Sequence, residues 1–206
     1  MGRIAGVILA AGASRRLGRP KQLLPLGGRP LLSLTLAAAR QTRLDPLLII
    51  LGHAAEEIRR QVDLTGLTVI ENPSYSEGLS TSVRLAVQHL PDHIEAVVFL
   101  LGDQPCLEPA IVNRLLETFC RERSAIVQPC YAEGPGHPVL LSRALFPELE
   151  RLSGDTGARP VLQRHATEVH LVDVREFHRP NDLDTWEDYE RLLGEFERAT
   201  GSQKRR

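Results

Sequence analysis

Short apolar runs alternate with amphipathic stretches along most of the chain. Six of these runs predict β-strands, at residues 4–10, 46–51, 67–71, 96–101, 125–129 and 168–174. The first four are continuously apolar and lack the alternation of a strand with one solvated face. Strands of this kind are covered on both faces, as they are in parallel sheets.

The segments between the strands carry apolar residues at helical spacing. Helices are predicted at residues 29–41, 80–90 and 108–122. In the third, Ile111, Leu115 and Phe119 fall on one face. Since strands that alternate with helices form βαβ units, we expect an α/β fold with a mostly parallel sheet and helices on both sides.

The composition suits one soluble globular domain. The chain has 206 residues, 42% of them hydrophobic, and we expect a domain over residues 1–195 followed by a polar tail over 196–206. The net charge of −1 gives no overall electrostatic attraction to nucleic acid or to an anionic membrane. The aromatic content of 4% argues against a surface on which nucleobases stack. No run reaches the roughly 18 apolar residues of a membrane helix.

The N-terminus and the cysteines indicate a cytoplasmic protein. A weak signal peptide would also begin with one arginine and an apolar stretch, but residues 4–11 are short, include Gly6 and precede a cationic segment. A buried first strand explains them better. Cys106, Cys120 and Cys130 are widely spaced and are interpreted as reduced thiols.

The loop "GASRRLGRPK" follows the first predicted strand and combines glycines with four cations. Glycine lets backbone N–H groups approach a phosphate. Arg16 can bind that phosphate through its planar guanidinium, and Lys21 through its compact ammonium group. The loop matches neither the Walker A pattern nor GxGxxG. It predicts an anion-binding site, and a solvated basic loop is the alternative.

Carboxylates follow the fourth predicted strand and recur near the C-terminus. Asp103 comes directly after that strand, at the edge of the sheet where the basic loop is expected. A carboxylate facing a phosphate loop predicts a bridging Mg²⁺, although Asp103 could instead cap a helix. Asp182 and Asp184 are candidates for a second metal carboxylate or for a helix N-cap.

Three further loops offer polar groups. Gly78, Ser80 and Ser82 precede a helix, which they could cap, and they could also face a nucleobase. The "GPGHP" turn contains His137, which taken alone is more often a hydrogen-bonded structural residue. Arg159 follows "SGDTGA" at a predicted helix start and could form a second anion site.

These motifs together resemble those of a known family. "LAAGASRRLGRPK" is similar to the signature LAAGxSxRMGxxK of MobA-like nucleotidyltransferases, and "GDQP", "GHPVLL" and "GDTGAR" narrow the resemblance to the molybdenum cofactor cytidylyltransferase branch. It covers residues 4 to about 190. Leu17 stands where the signature has Met, and Trp186 where the family usually has Pro. The resemblance implies a Rossmann-like three-layer α/β sandwich that transfers a nucleotide from an NTP with Mg²⁺.

The resemblance also implies roles for individual residues. Catalysis would fall to Arg16, Lys21 and Asp103, and the metal to Asp103 and Asp184. The nucleotide would be bound by Leu9, Ala10, Ala11, Gly12, Ser14, Arg16, Gly18, Lys21, Gly78, Ser80, Ser82 and Gly102. The acceptor would be bound by Gln104, Pro105, Gly136, His137, Pro138 and Arg159. Ala10 and Ala11 stand where guanylyltransferase relatives have LAGG, which favours CTP over GTP.

The expected reaction transfers CMP from CTP to the terminal phosphate of molybdopterin. Three alternatives stay open: a related transferase that uses GTP or another acceptor, an NAD(P)H-dependent reductase on the same scaffold, and a chaperone that hands the cofactor to a molybdenum hydroxylase. The absence of GxSxG or of a Cys–His pair fits chemistry that depends on positioning and electrostatics.

Overall fold

The computed structural model describes residues 3–203. The strands are β1 (Arg3–Ala10), β2 (Pro25–Leu26), β3 (Arg29–Pro30), β4 (Leu47–Leu51), β5 (Thr68–Glu71), β6 (Ile94–Leu101), β7 (Ile126–Tyr131), β8 (Gly134–Pro135), β9 (Val139–Ser142) and β10 (Val169–Asp173). The helices are α1 (Leu31–Ala39), α2 (Ala55–Gln61), α3 (Leu79–Gln88), α4 (Pro109–Glu122), α5 (Phe146–Leu149), α6 (Arg159–Arg164) and α7 (Trp186–Gln203). All six predicted strands and all three predicted helices are present.

The central sheet has the strand order β10-β7-β9-β6-β1-β4-β5, with β8 added to β7. Pairs β1–β4, β1–β6, β4–β5 and β7–β10 are parallel, and β9 runs antiparallel to both β6 and β7. The predicted α/β fold with a mostly parallel sheet is confirmed. β2 and β3 form a separate two-stranded ribbon.

Two apolar cores lie on opposite faces of the sheet, as the continuous runs predicted. Ile8 of β1 packs with Leu36 of α1 and Leu115 of α4 in one core. Val7, its neighbour along β1, packs with Val83 of α3 in the other core. Successive side chains of a strand point to opposite faces, so a strand buried on both sides has no polar position.

Helix α7 begins and ends differently from the expectation. Thr185 and Asp188 cap its N-terminus reciprocally: the Asp188 carboxylate accepts from the Thr185 N–H at 3.0 Å, and the Thr185 hydroxyl accepts from the Asp188 N–H at 3.2 Å. The helix continues through the predicted tail boundary at residue 196, because Phe196 packs against Gly27. Residues 204–206 of the predicted tail lie outside the described residues. No helix within residues 3–203 is long and apolar enough to span a membrane.

Candidate active site

The carboxyl ends of β1 and β6 lie side by side at the centre of the sheet. Leu9 pairs with Leu101, and the Gly102 N–H donates to the Leu9 carbonyl at 3.0 Å. A Cβ on Gly102 would fall 2.9 Å from the Cβ of Ala10. This position therefore needs glycine, because a side chain would push the two strand ends apart. Asp103 follows directly and faces the loop after β1.

Lys21 joins three distant segments of the chain. Its Nζ donates to Asp103 Oδ2 at 2.5 Å, to the Leu183 carbonyl at 2.9 Å and to Asp184 Oδ1 at 3.0 Å. The side chains of Lys21 and Asp103 are only 14% and 16% exposed. A charge-assisted contact of this kind, shielded from water, holds the basic loop, the end of β6 and the segment before α7 together.

Burial and charge shift the ionisation of this pair. Burial lowers the pKa of Lys21, but Asp103 and Asp184 more than offset that effect, and the pKa lies above its usual value. Burial raises the pKa of the Asp103 carboxyl, and the Lys21 ammonium acts against that rise. The ammonium therefore stays protonated and keeps its positive charge.

The loop after β1 is held in shape by its own backbone. Ser14 adopts a left-handed conformation with φ 51°, and its hydroxyl accepts from the Lys21 N–H at 3.0 Å. The N–H groups of Leu17 and Gly18 donate to the Ser14 carbonyl. Leu17 is buried in a small apolar cluster with Leu24, Leu31, Leu183 and Tyr189. Leucine fills the position of the family methionine with similar bulk.

A cleft of about 700 Å³ opens beside Lys21 and Asp103. The predicted nucleotide-binding residues that line it are Leu9, Ala10, Ala11, Gly12, Ser14, Lys21, Gly78, Ser82 and Gly102. Predicted residues outside its lining are Arg16, Gly18 and Ser80. Arg16 lies at the rim, 73% exposed, with Nη1 at 3.5 Å from Asp184 Oδ2. Ser80 is buried, and its hydroxyl has no hydrogen-bond partner within the described part of the chain.

The N-terminus of α3 forms one wall of the cleft and is capped from a distance. Asp155 Oδ1 accepts from the Leu79 N–H at 2.9 Å, and the Gly154 carbonyl accepts from the Ser80 N–H at 3.3 Å. Gly78, with φ 117°, lies so close that a Cβ would fall 2.6 Å from the Gly154 carbonyl oxygen. The "GDTG" segment therefore caps α3, a role that was predicted for Gly78, Ser80 and Ser82.

A family model for the MobA-like NTP transferase domain matches residues 6–169. The match spans every motif described above up to and including the "GDTG" cap. The chain belongs to the MobA-like NTP transferase family.

Curated relatives in this family carry different activities. The chain is 33% identical to nicotine blue oxidoreductase of Paenarthrobacter nicotinovorans over 92% of its length and 96% of the relative. It is 32% identical to the purine catabolism protein PucB of Bacillus subtilis, covering 91% and 94% of the two chains. It is 28% identical to the molybdenum cofactor cytidylyltransferase of Escherichia coli, covering 92% and 95%.

Solved structures share the whole fold of this MobA-like domain. An Rv0371c homologue from Mycobacterium sp. strain JC1 has a TM-score of 0.87 and 40% identity over 96% of this chain and 98% of its own. Rv0371c of Mycobacterium tuberculosis H37Rv in complex with manganese has a TM-score of 0.80 and 37% identity, covering 94% and 98%.

The oxygen donors of the MobA-like site fit a hard divalent cation. Asp103 and Asp184 approach one positive charge, the Lys21 ammonium, and Asp182 also lines the cleft. Within residues 3–203, no three His, Cys, Asp or Glu side chains gather into a metal-binding cluster. One or two carboxylates completed by phosphate oxygens and water are typical of Mg²⁺ sites. The geometry therefore suits a cation that binds together with a nucleotide.

The structure places the predicted acceptor residues in several different environments. Gln104 is buried, and its Nε2 donates to Asp182 Oδ1 at 2.8 Å. The Tyr131 hydroxyl donates to the His137 carbonyl at 2.6 Å, and a Cβ on Gly136 would fall 2.8 Å from the Tyr131 ring. Pro138 follows through a cis peptide bond. Pro105 lines a second cavity. Arg159 is exposed at the start of α6 and lines neither that cavity nor the nucleotide cleft.

Ten residues that line the cleft lie outside the predicted site: Ala13, Arg15, Gln22, Tyr75, Ser76, Glu77, Leu79, Leu101, Asp155 and Asp182. Asp182 was considered only as a possible cap or metal carboxylate. Gln22 is buried and its Nε2 donates to the Ala10 and Gly12 carbonyls at 2.9 and 3.2 Å, which fixes the start of the loop. Its position next to Lys21 was the one available signal, since no local pattern indicates a buried amide.

Proposed function

We propose that the protein transfers CMP from CTP to the terminal phosphate of a molybdopterin-type acceptor and releases pyrophosphate. The observation that carries the proposal is the largely buried Lys21–Asp103 pair, which joins the loop after β1 to the end of β6 and faces a cleft of about 700 Å³. The 28% identity to the E. coli cytidylyltransferase along nearly the whole chain supports the choice of acceptor.

In the proposed reaction, an oxygen of the acceptor phosphate attacks the α-phosphorus of CTP. The bond from that phosphorus to the bridging oxygen breaks, and its electron pair leaves with pyrophosphate. Both reactants are anions, so the protein must lower their repulsion and align them. Lys21 places a protonated ammonium inside the cleft, and Arg16 at the rim can swing onto the phosphates from its exposed position.

Asp103 and Asp184 would hold the divalent cation. When bound, that cation would neutralise phosphate charge on the nucleotide and on the leaving pyrophosphate. Gln104 fixes the neighbouring Asp182 carboxylate, so the acidic wall of the cleft keeps its position while the nucleotide binds. The manganese complex of the M. tuberculosis relative supports a divalent metal in this family.

One wall of the cleft is close-packed. Ala11 and Tyr75 both line the cleft, and both lie against Gly52, where a Cβ would fall 2.9 Å from Ala11 and 2.7 Å from Tyr75. The pair Ala10–Ala11, which stands where guanylyltransferase relatives have LAGG, supports cytosine as the base. Ser82 and the backbone of Gly78 offer polar groups to its edge.

A reductase is the second candidate function, because the relative at 33% identity is named an oxidoreductase. The basic loop with Arg16 and Lys21, together with Asp103, supports nucleotidyl transfer instead, since a hydride transfer would not need an ammonium clamped between two carboxylates.

One assay series tests both candidates. Pyrophosphate release is measured with molybdopterin, Mg²⁺ and either CTP, GTP or ATP, and NAD(P)H oxidation is followed separately without Mg²⁺. We expect release with CTP, and none with Asp103→Ala. Asp173→Ala, on an exposed carboxylate paired with Arg175, is the control. Faster release with GTP would contradict the base assignment, and NAD(P)H oxidation without release from any nucleotide would establish the reductase.

A further inference from the structure

A second cavity of about 910 Å³ lies beside the nucleotide cleft. The two share the Asp182 side chain, which forms part of both walls. The cavity is bounded by the loop after β6, by residues 176–183 and by one face of α7. Its apolar lining includes Pro105, Phe177, Leu192 and Phe196. A cavity of this size and lining accommodates an organic molecule much larger than a phosphate ion.

Arg179 is the distinctive cation of this cavity. Arg191, also in the lining, pairs with Asp188 at 2.6 Å. Arg179 has no ion pair or hydrogen bond with any residue of the described chain. Its Nε lies 3.3 Å from the point that a Cβ on Gly136 would occupy, so it reaches the glycine turn next to His137. An unpaired guanidinium at that position is available to an oxyanion such as a phosphate.

His137 directly follows Gly136, the glycine next to Arg179. Its Nδ1 is buried and has no partner in the described part of the chain. The charges of Asp182, Asp103 and Arg179 all act on its imidazole, so it lies within electrostatic reach of both cavities. A buried polar atom without a partner is costly unless a ligand satisfies it.

The exposed carboxylates of the cavity indicate which chemical groups the rest of the ligand carries. Glu108, Glu133 and Glu195 form no ion pair with any described residue. Carboxylates accept hydrogen bonds, so a heterocycle with N–H donors suits them. An anionic group belongs next to Arg179.

From these observations we propose that the second cavity is the acceptor subsite and that Arg179 binds the phosphate of the acceptor, an organic phosphate monoester with an N–H-rich body. The inference rests on the proposed function and deepens it. Asp182, common to both cavities, marks the point where the two substrates meet. Arg159, the cation expected from sequence, lies elsewhere on the surface.

The test compares binding of molybdopterin and of its dephosphorylated form, without nucleotide, to the full-length protein. Arg179→Gln is expected to weaken molybdopterin binding by about 10- to 100-fold, the range for losing a hydrogen bond to a charged group. Binding of the dephosphorylated form should be equal in both proteins. In the coupled assay, KM for the acceptor should rise while KM for CTP is unchanged. Arg60→Gln, on an exposed position of α2, is the matched control.

The outcomes separate this inference from the proposed function. Tight binding of molybdopterin to Arg179→Gln, or a loss carried by Arg159→Gln instead, overturns the acceptor subsite. Arg179-dependent binding without pyrophosphate release from any nucleotide supports the subsite and refutes the transferase activity. Because Arg179 is exposed, thermal unfolding of the variant should match the wild type, which excludes loss through misfolding.

Discussion

At the scale of single residues, the Lys21 ammonium is the group on which the proposed reaction depends most. Its ammonium is buried between two carboxylates that are 82 and 163 positions away along the chain. Removing it takes positive charge away from the phosphates and leaves Asp103 without its cation. Both consequences follow from one side chain, so activity and stability should change together.

We predict that Lys21→Ala lowers the turnover number for pyrophosphate release by about 10²–10³, the usual cost of losing one transition-state donor. Lys21→Arg should not restore the turnover number, because the planar guanidinium cannot occupy the space of the compact ammonium between Asp103 and Asp184. The matched control is Arg19→Ala in the same loop, which should change turnover by less than about threefold. Equal turnover of Lys21→Ala and wild type would exclude the assigned role.

Gly78 is a second residue at which the backbone conformation and the neighbouring atoms require glycine. Its φ of 117° strains any side chain, and a Cβ would also fall 2.6 Å from the Gly154 carbonyl oxygen. Gly66 also has a positive φ, of 80°, but has open space around it. We predict that Gly66→Ala lowers the free energy of unfolding by about 1–2 kcal/mol and that Gly78→Ala costs a further ~1–3 kcal/mol for the steric clash. Urea unfolding of both variants measures the difference, and equal costs would contradict it.

At the scale of elements, short-range polar contacts determine where helices start and how they meet. Thr185 and Asp188 cap α7, which leaves Asp184 free to contact Arg16 and Lys21. Asp155 caps α3 from another loop. In each case a carboxylate near a helix start has a role that its position along the chain does not reveal.

The contact between α5 and α6 predicts a pH dependence of stability. Both ring nitrogens of His165 face carboxylates, Glu148 at 2.7 Å and Glu168 at 2.8 Å, and Arg164 also contacts Glu148. Hydrogen bonds to Glu168 and Glu148 raise the pKa of His165 above its usual value of 6.5. A raised pKa means that the stabilisation is complete below about pH 6.5 and is lost as the pH rises through the folded-state value.

We therefore expect His165→Gln to lower the melting temperature clearly at about pH 5.5 and only slightly at about pH 8.5. The comparison is made by thermal unfolding of both proteins across that range, with His93→Gln as the control because that histidine is exposed. A difference in melting temperature that grows with pH would show that the histidine is neutral in the folded state.

At the scale of the whole molecule, the segment before α7 forms part of the cleft beside Lys21 and Asp103. Asp184 reaches across to Lys21 and Arg16, so the C-terminal part of the chain supplies part of a site built mainly from β1 and β6. The same carboxylate is proposed to bind the metal together with Asp103. Metal binding should therefore require that the segment before α7 lies against Lys21 and Arg16.

We predict that chelation by EDTA abolishes pyrophosphate release and that Mn²⁺ or Mg²⁺ restores it. Asp184→Asn should raise the metal concentration needed for half-maximal rate by about 10- to 100-fold, with thermal stability close to wild type since Asp184 is 51% exposed. Asp173→Asn, an equally exposed carboxylate of β10, is the control. An unchanged metal requirement in Asp184→Asn would exclude it as a ligand.

Six strands, three helices and much of the cleft could be predicted because the sequence patterns that indicate them are local. The continuous apolar runs identified the strands buried on both faces, and the residues directly after β1 and β6 contained Gly12, Lys21 and Asp103. Parallel strand ends share one edge of a sheet, so chemistry placed after separate strands converges there. The antiparallel insertion of β9 between β6 and β7 had no such local signal.

The sequence by itself determined six of the strands, three of the helices, the mostly parallel sheet and the basic loop with its facing carboxylate, because periodicity and turn residues act over a few positions. Only the tertiary structure decided that Lys21 contacts Asp184 at a separation of 163 residues, that Asp155 caps α3 and that Arg179, rather than Arg159, faces the second cavity. Those contacts depend on how loops pack after the sheet has assembled, and the free energy of that packing is shared among residues from the whole chain.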